Sequence, residues 1–82
     1  MTFQARLKQA MRQGNLRIAD LARWFGRRHS TVRGWVVDGR APAGTEADVR
    51  ALTSALGVLE TEIRQCKAKG ISSRTRILEA CR

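Results

Sequence analysis

Residue types that often signal a metal site or a covalent scaffold are rare in this chain of 82 residues. It has a single histidine, His29, and two cysteines, Cys66 and Cys81, with no CxxC spacing. A structural zinc site needs about four Cys or His ligands, so we expect no metal site. Two cysteines are also too few for a disulfide scaffold, and we expect both to pack as small apolar residues.

Long apolar runs and strand patterns are missing as well. No segment approaches the roughly 18 consecutive apolar residues of a membrane span, and no secretory signal is recognisable. We therefore expect a cytoplasmic protein with no membrane partner. Clear apolar/polar alternation is absent, and the chain has no tyrosine, a residue enriched in strands. These absences favour an all-α fold.

Groups suited to catalysis do not form a recognisable pattern. A nucleophilic Ser or Cys needs an activating base, and no such residue pairs with His29 and a carboxylate in a known arrangement. The acidic residues are scattered, and Glu60 and Glu62 lie on different helix faces, so no paired-carboxylate site suggests itself. We expect a protein that is not an enzyme and that uses no cofactor and no small-molecule ligand.

Acidic residues are outnumbered: seven Asp and Glu stand against sixteen Lys and Arg, a net charge of +9. Thirteen of the basic residues are arginine, whose planar guanidinium suits phosphates and guanine edges. Residues 1–40 hold nine basic and two acidic residues, a net of +7, whereas residues 41–82 carry a net of +2. The asymmetry indicates a polyanionic partner for the N-terminal half, with a solubilising surface as the alternative.

What is present is helical periodicity punctuated by glycine, which predicts a compact bundle of about five short helices plus a short C-terminal helix. We expect these helices at about residues 3–13, 16–25, 29–37, 45–56, 59–67 and from 72 or 73 onward. Gly14 is expected at the left-handed end of the first helix and Asn15 as the cap of the second. Thr45 and Asp48 fit a variant capping box, and Gly57 is expected to end the fourth helix.

Two levels of organisation follow from this pattern. Residues 1–70 are expected to form a helix-turn-helix domain, and residues 71–82 a helical extension. Its apolar residues offer a surface for dimerisation, or they cap the bundle. Those residues are Ile71, Ile77, Leu78 and Cys81.

The segment 17–36 carries the functional signal, because two short helices meet there at a glycine. Gly26 stands where the turn needs a residue that tolerates positive φ, and Ala22 is small where the two helices must approach closely. Val32 and Trp35 are spaced to anchor the second helix on its inner side. The predicted structural core of the motif is Leu21, Ala22, Gly26, Val32 and Trp35.

The outward positions of the helix at 29–37 are charged, polar or small, apart from Val37. A helix that presents hydrogen-bond donors at its start and along one side is suited to the major groove of DNA. The predicted base-reading residues are Arg28, His29, Ser30, Thr31, Arg33, Gly34 and Val37. The predicted phosphate contacts, which position the protein without specifying sequence, are Arg17, Arg23, Arg27 and Arg40.

These residues resemble the helix-turn-helix of phage-repressor-type proteins, the Cro/XRE-like (lambda-repressor-like) family. The matching residues are Leu21-Ala22, Gly26, Val32, Trp35 and the segment DGRAP at 38–42, and the similarity covers about residues 3–66. The resemblance implies a five-helix bundle, often dimeric, that binds operator DNA and represses or activates transcription.

The chain departs from that family at two positions. Arg27 stands where the family usually has an apolar residue. Arg28 stands where the family usually has a Ser or Thr cap, so the helix begins at residue 29 or one position later.

The leading hypothesis is a transcriptional regulator, a repressor that binds double-stranded DNA as a homodimer on a pseudo-palindromic operator. It would act in a bacterial cell or a phage-infected host, associated with the nucleoid. One alternative is a nucleoprotein-assembly factor for packaging, recombination or replication. Another is an antitoxin-like or adaptor module that binds a protein. The basic outer face of the helix at 29–37 disfavours that last alternative, because partner grooves are more apolar.

Overall fold

The computed structural model describes residues 2–80, which form five α-helices. They are α1 (Phe3–Gly14), α2 (Ile18–Phe25), α3 (His29–Val36), α4 (Glu46–Lys69) and α5 (Ser73–Ala80). No strand occurs among these residues, and none of these helices is long and apolar enough to cross a membrane. The predicted all-α fold class is confirmed. The radius of gyration, 12.1 Å, is close to the roughly 12 Å expected for a compact domain of this length.

A single apolar core holds the helices together. Each helix contributes at least one side chain that is at most 1% exposed: Leu7, Leu21, Val32, Leu56 and Ile77. Helices α2, α3 and α5 have eight residues each, which is shorter than the roughly 12–15 residues an isolated helix needs. Their stability therefore comes from packing, at roughly 1.5–3 kcal/mol for each large side chain fully buried.

Three aromatic side chains join α1, α2 and α3. The Trp35 ring meets Phe3 and Phe25 edge-on, with ring centroids 5.6 and 5.8 Å apart. Such edge-to-face pairs add about 0.5–1.5 kcal/mol each beyond the burial of area. Trp35 is 4% exposed, so its indole fixes the inner side of α3.

Helix α4 runs without interruption through Gly57, so the predicted end there is wrong and two predicted helices are one. The buried side chains of α4 explain this, because they continue at helical spacing on both sides of the glycine: Leu52, Leu56, Leu59, Ile63 and Cys66. A glycine in a helix interior costs about 1 kcal/mol relative to alanine. Burial of the side chains on both sides outweighs that cost.

The link between α1 and α2 also differs from the prediction. Asn15, not Gly14, adopts the left-handed conformation that ends α1, with φ 53° and ψ 45°. Asn15 consequently does not cap α2. The N-cap of α2 is Arg17, whose backbone N–H donates to the Asp20 carboxylate at 2.9 Å.

Gly14 instead allows α1 to approach α4 closely. A Cβ at this position would lie 3.1 Å from side-chain atoms of both Ile63 and Leu16. Contacts this short are tighter than normal carbon packing, so the Ile63 and Leu16 side chains would have to shift to admit a larger residue.

The C-terminal helix α5 packs on the bundle through an apolar contact and an ion pair. Ile77 is 1% exposed and belongs to the common core, whereas Ile71 is 49% exposed. Arg74 Nε donates to the carboxylate of Asp20 at 3.1 Å, which ties α5 to α2. This segment therefore caps the bundle. Cys81, which we predicted on its apolar face, lies outside the described residues.

Replacing Gly57 by alanine should stabilise the protein by about 0.5–1 kcal/mol, because the glycine is inside a helix and an added Cβ would meet no atom within 4 Å. Gly70→Ala is the matched control: Gly70 ends α4 with φ 70°, and alanine there should cost roughly 1–2 kcal/mol. Urea unfolding measures both. A loss of stability in Gly57→Ala similar to that in Gly70→Ala would contradict a continuous α4.

Replacing Ile77 by alanine should cost about 2–5 kcal/mol, because it leaves a cavity in the common core. The same change at Ile71, which is half exposed, should stay within about 0.5 kcal/mol. Thermal melting of the two variants at low protein concentration makes the comparison. Equal, small effects would show that α5 does not belong to the core.

Candidate nucleic-acid interface

Residues 26–28 form the turn that joins α2 to α3. Gly26 adopts the left-handed conformation, with φ 65° and ψ 38°, and its N–H donates to the carbonyl oxygens at the end of α2. Glycine is the residue that adopts this conformation without a steric cost. Helix α3 begins at His29 rather than Ser30, and the Arg28 side chain makes no capping hydrogen bond.

The inner side of α3 is buried at three positions. Val32, Trp35 and Val36 are 0%, 4% and 6% exposed. Across from them on α2, Leu21 is fully buried and Ala22 is half-buried against the core. With this side turned inward, the opposite side of α3 must face solvent.

Most of the predicted base-reading residues are exposed and lie at the start or on the outer side of α3. His29, Arg33 and Val37 follow one another at intervals of four residues, so they share one face. Thr31 borders the side occupied by Trp35. The exposed predicted residues are Arg28, His29, Ser30, Thr31, Arg33 and Val37.

Gly34 is an exception and requires a correction, because we expected it to point outward and it is buried. The side chain of Arg40 covers it: a Cβ on Gly34 would lie 3.2 Å from Arg40 Cδ. The backbone N–H of Arg40 also donates to the Gly34 carbonyl oxygen at 3.0 Å. The covering residue comes from the loop after α3, a contact that helical periodicity does not reveal.

The predicted phosphate contacts Arg17, Arg23, Arg27 and Arg40 are all exposed. Within residues 2–80, none of the four has a carboxylate oxygen within 4.0 Å of its guanidinium nitrogens, and the same holds for Arg28 and Arg33. We call these six residues the free arginine group. A guanidinium that has no carboxylate partner keeps its donors available to a phosphate.

Other arginines of the described chain are largely engaged with acidic side chains. Arg6, Arg50, Arg74 and Arg76 pair with Glu60, Glu46, Asp20 and Glu62. The hydrogen bond to Glu60 raises the pKa of the Arg6 guanidinium above its ordinary value. Arg12 and Arg64 make no such pair, but they lie outside the segment 17–40.

Of the two acidic residues in this segment, Asp20 is removed from the surface. Its side chain is 6% exposed, and it accepts hydrogen bonds from the Arg17 backbone and from Arg74. Sequence reasoning did not identify this residue, because its partner Arg74 is 54 positions away. The charge of Asp20 is thus compensated internally, and the surface of α2 and α3 stays basic.

An open cleft of about 230 Å³ lies between α3, the following loop and the start of α4. The residues that line it are Arg27, Thr31, Trp35, Arg40, Ala41, Ala43 and Leu52.

Near this cleft, two hydrogen bonds from Thr45 lower the pKa of Asp48 below its ordinary value, and the positive charge of Arg27 adds to that effect. The capping box of Thr45 and Asp48 thereby fixes the start of α4 beside the cleft.

Trp24 has a structural partner. Its side chain is half-buried, and Nε1 donates to the Ala55 carbonyl oxygen at 3.0 Å, which ties α2 to α4.

Within residues 2–80, no three His, Cys, Asp or Glu side chains come together as possible metal ligands.

Comparison with known proteins gives no assignment: no family model matches this chain, and neither a curated protein nor a solved structure matches it. The features of the molecule that bear on function are the exposed face of α3, the free arginine group and the cleft.

Proposed function

We propose that this protein is a sequence-specific DNA-binding protein of the Cro/XRE-like helix-turn-helix class, and that α3 enters the major groove. The observation that carries the proposal is the free arginine group. Six exposed arginines without a carboxylate partner in the described chain occur on or beside α2 and α3, while the acidic Asp20 of that segment is buried. Such a surface fits a polyanion.

The dimensions and side chains of α3 suit base reading. Its eight residues span about 12 Å, comparable with the roughly 12 Å width of the major groove. Arg33, exposed on the outer face, can bind a guanine through two hydrogen bonds, which discriminates by about 1–3 kcal/mol. Arg28 and Ser30 lie at the leading end, where base contacts concentrate in such motifs.

The remaining free arginines flank α3 in the chain. Arg17 and Arg23 precede or lie on α2, Arg27 lies in the turn, and Arg40 follows α3. In our proposal they bind phosphates on both sides of the groove and fix the angle at which α3 enters it. They supply affinity and orientation, whereas the outer face of α3 supplies specificity.

The regulatory role we propose is repression, because a protein that occupies a promoter site blocks it without needing a further activity. One short helix makes few base contacts, so a homodimer on a pseudo-palindromic operator fits best, with the two α3 helices about 34 Å apart. In this account the protein is not an enzyme and acts in the cytoplasm of a bacterial cell or phage-infected host, on nucleoid DNA.

Binding to a duplex of mixed sequence should weaken steeply between 50 and 200 mM salt, because each phosphate contact releases counterions and adds about −0.9 to the slope of log K against log salt. Arg23→Ala should reduce the magnitude of that slope by about one. Arg64→Ala is the matched control, since Arg64 is an exposed arginine on α4 outside the free arginine group, and it should leave the slope unchanged.

Fluorescence anisotropy with a labelled duplex measures these slopes. An affinity that does not change with salt would contradict DNA binding through the arginines and would favour a protein partner. Equal slopes for wild type and Arg23→Ala would show that Arg23 makes no phosphate contact.

A further inference from the structure

The contact between Gly34 and Arg40 lies near the end of α3, outside the apolar core cluster. The aliphatic stem of Arg40 lies across a helical glycine, with Cδ 3.2 Å and Nε 3.9 Å from the position that a Cβ would take. The backbone of Arg40 is fixed to the same residue through its N–H, which donates to the Gly34 carbonyl oxygen at 3.0 Å. The side-chain contact and the backbone hydrogen bond together hold Arg40 against α3, although Arg40 remains exposed.

Arg40 is held at the cleft that Arg27 and Thr31 also line. Within residues 2–80 neither guanidinium has a carboxylate partner. Asp48 lies within the electrostatic reach of Arg27, but its Oδ2 accepts hydrogen bonds from Thr45 N–H and Thr45 Oγ1 at 3.1 and 2.9 Å. Two guanidinium groups and a hydroxyl on one cleft are donors suited to one tetrahedral anion.

We propose that Gly34 is a positioning residue: its missing side chain lets Arg40 lie across α3, where Arg40, Arg27 and Thr31 together bind one backbone phosphate of DNA. The inference rests on the proposed function and deepens it. It assigns three side chains from α3, the preceding turn and the following loop to a single phosphate, and it gives the buried Gly34 a role in binding without a base contact.

A substitution at Gly34 separates this role from a purely structural one. Alanine is a better helix former than glycine, and the atoms it would meet belong to a flexible side chain, so Gly34→Ala should melt at or above the wild-type temperature. The same methyl group requires the Arg40 stem to move off α3, so DNA binding should weaken although the fold becomes no less stable. A structural role alone predicts that stability and binding change together.

The test is a double-mutant cycle on duplex binding with wild type, Gly34→Ala, Arg40→Ala and the double variant. Both single variants should weaken binding several-fold and reduce the magnitude of the salt slope by about one. The double variant should bind no more weakly than Arg40→Ala, because Gly34 acts only through Arg40. Arg40→Lys, which keeps the charge but loses the planar fork, should fall between wild type and Arg40→Ala.

A second arm uses inorganic phosphate without DNA. Titration followed by the NMR signals of the arginine Nε–H groups should shift Arg27 and Arg40 together in wild type, and should shift Arg27 less in Arg40→Ala. Wild-type duplex binding in Gly34→Ala, or a double variant weakened by the product of the two single effects, would overturn the positioning role.

The two arms also separate this inference from the proposed function. If duplex binding is intact but neither arginine responds to phosphate, the cleft assignment fails and the proposed function stands. If wild type binds no duplex, the proposed function fails, and the assignment of the cleft to a DNA phosphate fails with it.

Discussion

The packing of Trp35 against Phe3 and Phe25 is the contact on which the exposed face of α3 depends. Helix α3 has only eight residues and would not be stable alone, so its orientation is set by what its inner side touches. Rings from α1 and α2 hold the indole edge-on, and this packing sets which side of α3 faces the core. Arg33 and the rest of the outer face then point to solvent as a consequence of core packing.

The distribution of charge is the second constraint, and it is built from pairing as well as from composition. Acidic side chains on α4 hold Arg6 and Arg50, and Asp20 is buried beneath Arg74 of α5. Among residues 2–80, most of the arginines that have no carboxylate partner lie in one stretch of the chain, around α2 and α3. Helix α5 therefore contributes indirectly to the basic surface, because Arg74 neutralises the acid that would otherwise sit within it.

Sequence reasoning succeeded where the signal is local. The spacing of Val32 and Trp35 and the glycine at position 26 sufficed to place the turn and the inner side of α3, because these depend on helical periodicity and backbone conformation. It failed at Gly57 because the glycine was given more weight than the apolar periodicity of Leu56, Leu59 and Ile63, which continues across it. The burial of Gly34 and of Asp20 was missed because the side chains that cover them are remote or lie in a loop.

The most direct test of the central claim is to select bound duplexes from a randomised library with wild type and with Arg33→Ala in parallel. Wild type should enrich one recurring motif in two inverted half-sites, with centres about 10 base pairs or a multiple of that apart. Folded Arg33→Ala should enrich the same motif with relaxed preference at one or two positions of each half-site. No enriched motif with wild type, or identical preferences for both proteins, would contradict base reading by α3.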